Sequence, residues 1–274
     1  MRLAFAIIIV VAAAAFAVTA MLLVRRRAPD GSYFHDGDRA AGVFGVLATG
    51  FAVLLGFVVF LAFESYDEAR SGAEREALVV AQQVETAQFF AEPTANELTS
   101  QLVCYARSVV GVQWDRMENG TLGEQLNPFA AEMFRLIRTV EPGSASEQSA
   151  YDRWHDQTSD REEARNARIH GAVGVIPTPL WIVLFLSAAM IFLFMLFFAD
   201  SGERAIVQAL MIGTVTVIIT ATLLLLTALD NPFHGGIGGL RPVAMERSLK
   251  VIDQELAVAD VQVTPPCDAA GNPT

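Results

Sequence analysis

The chain is poor in the residue types that build most metal sites and disulfide scaffolds: it has only two cysteines and four histidines in 274 residues. The histidines lie far apart and lack ligand spacing such as His-x-x-x-His. Lys and Arg are also outnumbered by Asp and Glu, 19 to 30, which gives a net charge of −11. Nucleic-acid binding needs clustered basic side chains, so this composition argues against it. The histidines are His35, His155, His170 and His234.

Catalytic motifs are missing as well. The chain has no Gly-x-Ser-x-Gly, no Walker loop and no paired-cysteine motif. The glycine-rich run 235–239 follows an apolar stretch rather than a strand, which favours a flexible turn over a phosphate cradle. An acidic helical face is interpreted either as a divalent-ion site or as a solvated surface; it comprises Asp152, Asp156, Asp160 and Glu163. We predict no enzyme, no catalytic residue, no cofactor and no resident metal.

Charge is absent from four long apolar stretches. A helix needs roughly 20 residues to cross a hydrocarbon core of about 30 Å, and each stretch is long enough. With 53% hydrophobic residues and a mean hydropathy of +0.41, the sequence predicts an all-α, polytopic membrane protein with four transmembrane helices in a lipid bilayer. The stretches are Leu3–Val24, Ala40–Phe63, Gly171–Ala199 and Ala205–Leu229.

The first stretch has features of a secretory signal, including the small-residue tripeptide Val18–Ala20. The apolar run continues beyond this tripeptide and ends at Arg25–Arg27. We therefore predict a retained first helix.

Arginines in the short loops predict the orientation in the membrane. Arg25–Arg27 and Arg39 lie between the first two stretches, and Arg204 lies between the last two. Because basic loops stay in the cytoplasm, segment 64–170 and the C-terminal tail are expected on the outer face. Two further arginines just after the second stretch argue the other way.

The region between the second and third stretches is predicted to be helical. The run 64–91 contains one glycine and no proline, so the second helix should project beyond the bilayer. Patterns typical of helix starts follow at Thr94–Glu97, Asn127–Pro128, Ser144–Glu147 and Ser159–Glu162. These helices are expected to build an extramembrane helical layer on extensions of the membrane helices.

The predicted segments follow from these patterns. Residues 1–63 hold transmembrane helices 1 and 2, and residues 178–229 hold helices 3 and 4. Residues 64–177 form the helical extramembrane domain. Residues 230–274 form a junction, a helix over about 243–259 and a tail that is disordered beyond Val261.

The two cysteines, Cys104 and Cys267, fall on the same side of the membrane because two crossings separate them. Outside the cytoplasm they can form a disulfide. The alternative is a pair of unrelated thiols, with Cys104 packed inside a helix.

Small residues in the second stretch predict close helix packing. Gly45, Thr49, Ala52 and Gly56 follow one helical face. In an oligomer, the bulky residues beside them are expected to form a hydrophobic constriction around a central axis; the alternative is ordinary packing against lipid or a neighbouring subunit. Threonines of the fourth stretch either line a polar path or bond to their own helix carbonyls. The candidate pore residues are Phe44, Phe51, Phe57, Phe60, Thr216 and Thr220.

Two junction motifs carry a family resemblance. Leu55-Gly56-Phe57 is followed by a Glu-Ser-Tyr-Asp run at the end of the second stretch, and Asp-Asn-Pro-Phe directly follows the fourth. With the two-plus-two helix layout, this resembles the bestrophin-like proteins, four-pass bacterial membrane proteins that distantly resemble bestrophin anion channels. The junction residues are Tyr66, Asp67, Arg70, Asp230, Asn231, Pro232 and Phe233. Asp67 and Arg70 are expected to meet Asp230 and Asn231 in a polar collar, with Asp230 or Asn231 capping a helix end.

The resemblance implies a homo-oligomeric protein of the bacterial plasma membrane, acting as an anion channel with helix 2 lining the pore. The absence of ionisable residues within the spans argues against a proton-coupled or ion-coupled carrier. The alternative is a non-transporting scaffold or accessory subunit that binds a membrane protein partner through its extramembrane layer. Two departures are notable: bestrophins keep their helical layer in the cytoplasm, and the acidic calcium clasp is missing here.

Overall fold

The computed structural model describes residues 3–30, 32–121 and 126–274, and the remaining residues of the predicted segments 1–63 and 64–177 lie outside that part. Over the described residues the chain is all-α, with no strand. The helices are α1 (Leu3–Arg25), α2 (Gly37–Ala87), α3 (Thr94–Ser108), a π-helical segment (Val109–Gln113), α4 (Trp114–Glu118), α5 (Pro128–Ile137), α6 (Ala145–His170), α7 (Thr178–Phe197), α8 (Ala205–Leu229) and α9 (Val243–Val258).

The four predicted spans are confirmed as α1, α2, α7 and α8, each long and apolar enough to cross a membrane. Helix α2 continues without a break for 51 residues, as the glycine-poor run predicted. Helix α7 begins at Thr178 rather than at Gly171, because Pro177 holds an extended backbone at the N-cap position. The apolar residues 171–177 therefore belong to the preceding connection.

The chain forms two compact units. Unit 1 contains the residues through Ser65, Gly174–Asn231 and Gly235–Gly238. Its main core joins α2, α7 and α8 through Leu55, Leu184 and Leu226. A smaller cluster joins α1 to α8 through buried Ala17, Met21 and Ile212.

Hydrogen bonds tie the two basic loops of unit 1 together. The Arg25 guanidinium donates to the carbonyl of Ser201 at 3.0 Å and also to that of Glu203. The Ser201 hydroxyl donates to Asp30 at 2.5 Å. The α1–α2 loop and the α7–α8 loop thus lie side by side at one end of the unit.

Unit 2 contains Tyr66–Val173, Pro232–His234 and Gly239–Thr274. Its core gathers side chains from α3, α5, α6 and α9, including Leu102, Met133, Trp154 and Ile252. Helices α2 and α6 cross at Gly72, where an added Cβ would lie 2.6 Å from the backbone nitrogen of Arg168. Only glycine permits this approach.

Two of the predicted helix starts are confirmed. The Asn127 side chain accepts from the amides of Phe129 and Ala130 at the start of α5. The Ser144 hydroxyl accepts from the Glu147 amide, while the Glu147 carboxylate accepts from the Gly143 amide. These side chains satisfy amides that the first helical turn leaves without partners.

A third predicted start, at Thr94, is also confirmed, because α3 begins there, although Pro93 occupies the N-cap position and no side chain caps that helix. The fourth predicted start, at Ser159, is wrong. Ser159 lies inside α6, which runs unbroken from Ala145 to His170. A capping sequence pattern forms a cap only where the chain turns, and α6 packs on its neighbours along its whole length.

The C-terminal tail is ordered, contrary to the prediction. Cys104 and Cys267 form a disulfide, with Cα atoms 5.7 Å apart. The Asp268 carboxylate accepts from the amides of Ala270 and Asn272 and from the Asn272 side chain. These hydrogen bonds lower the pKa of Asp268. Gly271, at φ +79°, places the tail against the backbone of α3.

A buried polar network connects α2, α3 and α6. Glu76 and Arg168 form an ion pair in which both side chains have 0% exposure. The Arg168 guanidinium donates to both carboxylate oxygens of Glu76, at 2.5 and 3.0 Å. The Tyr105 hydroxyl donates to the same carboxylate at 2.5 Å, and Gln113 accepts from Arg168 at 3.1 Å.

Two donors of this network, Tyr105 and Arg168, have raised pKa values and keep their protons. Burial raises the pKa of Tyr105, and the Glu76 carboxylate raises it further, so the phenol stays a donor. Burial alone would lower the pKa of Arg168, but the charge of Glu76 and its hydrogen bonds hold that pKa above its ordinary value. The Arg168 guanidinium therefore stays charged.

Breaking this pair should destabilise unit 2. Arg168→Met leaves the Glu76 carboxylate buried without its cation, and removal of one partner from a buried pair costs about 3–5 kcal/mol. We expect a large fall in the Tm of the detergent-purified protein. Adding Glu76→Leu should recover part of that loss.

The matched control for this experiment is Arg70→Met, which breaks the exposed Arg70–Glu74 pair and should cost about 1 kcal/mol or less. Equal effects of Arg168→Met and Arg70→Met would contradict the structural role of the buried pair.

Candidate functional site

The small-residue stripe of α2 faces outward in the single chain. Gly45, Thr49, Ala52 and Gly56 are exposed. A Cβ added at Gly45 or at Gly56 would have no neighbouring atom within 4 Å. Within the described residues, this face of α2 has no helix packed on it, so it is free to meet a neighbouring subunit or lipid.

The four candidate phenylalanines do not share one face. Phe51 is 7% exposed and belongs to the core of unit 1, whereas Phe57 and Phe60 are each 61% exposed. Phe44 packs on Phe194, with ring centroids 5.9 Å apart. Phe44 and Phe51 thus pack against other side chains of unit 1, and their place on a pore surface stays a prediction.

Two valines belong with the exposed phenylalanines and were missed by the sequence analysis. Val46 and Val53 are exposed and follow the same outward surface of α2. The helical period of 3.6 residues places them beside Thr49 and Gly56. They had no distinguishing signal in a wholly apolar stretch.

The candidate threonines of α8 lie in an apolar cavity of 370 Å³ between α1, α7 and α8. Thr216 and Thr220 line it together with Phe16, Phe185 and Phe192. The Thr216 hydroxyl donates to the carbonyl of Ile212 at 2.8 Å, one turn earlier on α8. The hydroxyl proton of Thr216 is therefore used by the helix itself, as the alternative interpretation expected.

Asp230 anchors the segment that leads into α7. Its carboxylate accepts from the Ile176 amide at 3.0 Å, and both residues are buried. A Cβ at Gly174 would lie 2.8 Å from that carboxylate, so a larger residue there would have to displace it. Asn231 donates to the Thr227 carbonyl of α8 at 3.1 Å.

The other junction residues lie in unit 2. Phe233 is buried and meets Trp114 edge to face, with ring centroids 5.1 Å apart. The Pro232 carbonyl accepts from the Leu240 amide at 2.7 Å. Arg70 pairs with Glu74 at 3.0 Å, and Asp67 is exposed. The polar collar that these junctions were expected to form stays a prediction.

The acidic face of α6 lies beside a cation from α2. Arg75 approaches Asp160 at 3.4 Å and Glu163 at 3.6 Å, with all three side chains at least half exposed. In the described part of the chain, no group of three or more potential ligands is close enough to hold a metal ion.

Comparisons with known proteins identify the class. The Bestrophin-like domain family matches residues 11–238, and the chain belongs to this family of membrane proteins. No curated protein matches it.

Two similar solved structures are point mutants of a bacterial bestrophin homologue from Klebsiella pneumoniae. The first has a TM-score of 0.67 and 13% identity, covering 90% of this chain and 99% of the homologue. The second has a TM-score of 0.64 and 13% identity, covering 91% and 98%. At this identity, the likeness defines the fold.

The role of Asp230 can be tested by truncation. Asp230→Ala leaves the buried Ile176 amide without an acceptor, which costs about 1–3 kcal/mol. We expect a lower Tm for the purified protein. Asn231→Ala, the exposed neighbour, is the control and should change the Tm little.

Asp67→Ala in the Asp230→Ala background tests the predicted collar. A combined cost below the sum of the single costs would indicate a shared network, whereas strict additivity would contradict the collar.

Proposed function

We propose that this protein is a homo-oligomeric anion channel in which α2 lines the central axis. The observation that carries the proposal is the outward face of α2, where small residues and exposed Val53, Phe57 and Phe60 have no partner within the described chain. Closed symmetry would gather one copy of this face per subunit around an axis. We name anions as the conducted ions because the chain resembles the bestrophin anion channels.

The same surface suits a hydrophobic gate. Phe57 and Phe60 project from α2 beside the small residues, and a ring of such side chains narrows a pore by excluding water. The four apolar stretches of the sequence contain no ionisable residue, which fits passive conduction better than coupled transport.

The proposal predicts opposite effects for two substitutions on α2. Gly56→Leu adds bulk to the packing face and should reduce the oligomer, measured by native mass spectrometry in lipid nanodiscs. Phe57→Ala removes bulk from the axis and should raise conductance in reconstituted bilayers. The site of Gly56 is open in the single chain, so the leucine should leave the subunit fold intact.

Matched controls separate pore effects from folding effects. Ala12→Leu likewise places a leucine on the exposed surface of α1 and should leave assembly unchanged. Phe51→Ala removes a buried ring and should lower the Tm without widening the axis. A monomeric wild type in lipid would contradict the channel. An oligomer whose axis is plugged by lipid or protein would instead favour the scaffold.

We further propose that unit 2 lies on the outer face of a bacterial plasma membrane. The disulfide between Cys104 and Cys267 requires an oxidising compartment to persist. The basic loops of unit 1 lie side by side, joined by Arg25, and positive loops stay in the cytoplasm. The disulfide and the arginines thus support the same orientation.

Cysteine labelling tests this orientation. A cysteine at Ser159, exposed on α6, should react with a membrane-impermeant maleimide in intact cells. The control is His35→Cys in the α1–α2 loop, which should react only after permeabilisation. The reverse pattern would place unit 2 in the cytoplasm.

A further inference from the structure

A pocket of 450 Å³ with several charged side chains in its lining lies within unit 2. Its volume falls in the range of about 300–1,000 Å³ that is typical of small-molecule sites. One wall comes from α2, one from Trp114, and one from the segment that leads into α9. The lining includes Tyr66, Arg70, Glu74, Trp114, Arg241 and Arg247.

The pocket concentrates positive charge in an acidic protein. Three arginines and one glutamate line it, although the whole chain carries a net charge of −11. Arg70 is neutralised by Glu74 at 3.0 Å. Arg241 and Arg247 are exposed, and neither forms a hydrogen bond or ion pair within the described residues. Two guanidinium groups are therefore left for a ligand.

The backbone adds to this positive field. Helix α9 begins at Val243, and no side chain caps its first turn because Pro242 occupies the N-cap position. Val243 and Ala244 belong to the pocket wall. The start of a helix carries a partial positive charge, so here it reinforces the two arginines rather than acting as the site by itself.

The aromatic wall limits the kind of ligand. Tyr66 and Trp114 line the pocket, and they offer apolar surface beside the charged groups. A bare halide would leave most of the volume unused. A phosphate group attached to a small organic moiety would use both the charged groups and the apolar surface. Each guanidinium can donate two parallel hydrogen bonds to two oxygens of a phosphate.

We propose that this pocket binds the phosphate group of a glycerol phosphate, carried either by a soluble ester or by an anionic lipid headgroup. Tyr66 lies three residues after the apolar run of α2 ends at Phe63, and amphipathic aromatic residues prefer the headgroup region of a bilayer. The proposal concerns unit 2 alone and holds whether or not α2 forms a pore.

Two probes with the same phosphate–glycerol group distinguish the sources. The full-length protein in phosphatidylcholine nanodiscs is titrated with glycerol 3-phosphate while tryptophan fluorescence and Tm are recorded, because Trp114 lines the pocket. In parallel, nanodiscs that contain phosphatidylglycerol are compared with the phosphatidylcholine discs. A response to the soluble probe identifies a soluble ester, and a response confined to phosphatidylglycerol identifies the lipid headgroup.

Removing the two free arginines should abolish the response. Arg241→Gln with Arg247→Gln is expected to weaken binding about tenfold or more. The matched control is Arg153→Gln with Lys250→Gln, which removes the same charge from exposed residues outside the pocket. Arg241→Lys with Arg247→Lys keeps the positive charge but loses the paired guanidinium donors. This variant should weaken binding by less than the double glutamine variant does.

Three results would overturn the proposal. They are a wild type that responds to neither probe, an Arg241/Arg247 double variant that binds as the wild type does, and a control variant that loses binding equally. The first result is obtained with the wild type, so it does not depend on whether a variant folds. Loss of conductance without loss of binding, or the reverse, would separate this site from the channel.

Discussion

The fully buried ion pair between Glu76 and Arg168 is the constraint around which unit 2 is built. A charge removed from water must be paired and hydrogen-bonded, so helices α2 and α6 have to meet where these side chains meet. Gly72 makes that approach possible, since any side chain there would strike the backbone of α6. Tyr105 and Gln113 complete the shell around the two charges. The network therefore fixes the register of three separate segments.

The helix that carries Glu76, α2, also carries the outward surface of unit 1. A single 51-residue helix contributes its first part to unit 1 and its second part to unit 2. In unit 1, one side of α2 packs on α7 and α8, and the opposite side, with Gly56 and Phe57, is left without a partner among the described residues. Within unit 1, the apolar core on one side of α2 fixes which of its side chains are presented on the other side.

Charged side chains are distributed unevenly between the two units. The apolar stretches of unit 1 carry no charge, and beside them the Asp230 carboxylate accepts a hydrogen bond from a backbone amide. Unit 2 instead carries exposed cations around a pocket and a covalent link that holds the C-terminal tail. In the proposed channel, conduction depends on packing and wetting in unit 1. The proposed recognition of a phosphate depends on the arginines of unit 2.

The sequence by itself determined the four spans, the all-α class, the length of α2 and the capped starts of α5 and α6, because each depends on composition or on neighbours a few residues away. Tertiary structure decided the rest. A uniformly apolar helix carries no signal of which side packs inward, so Phe51 and Phe57 looked equivalent. The partner of Glu76 lies 92 residues away, and the order of the tail depends on a disulfide across 163 residues. Contacts at such separations are set by how helices pack, and local patterns do not encode them.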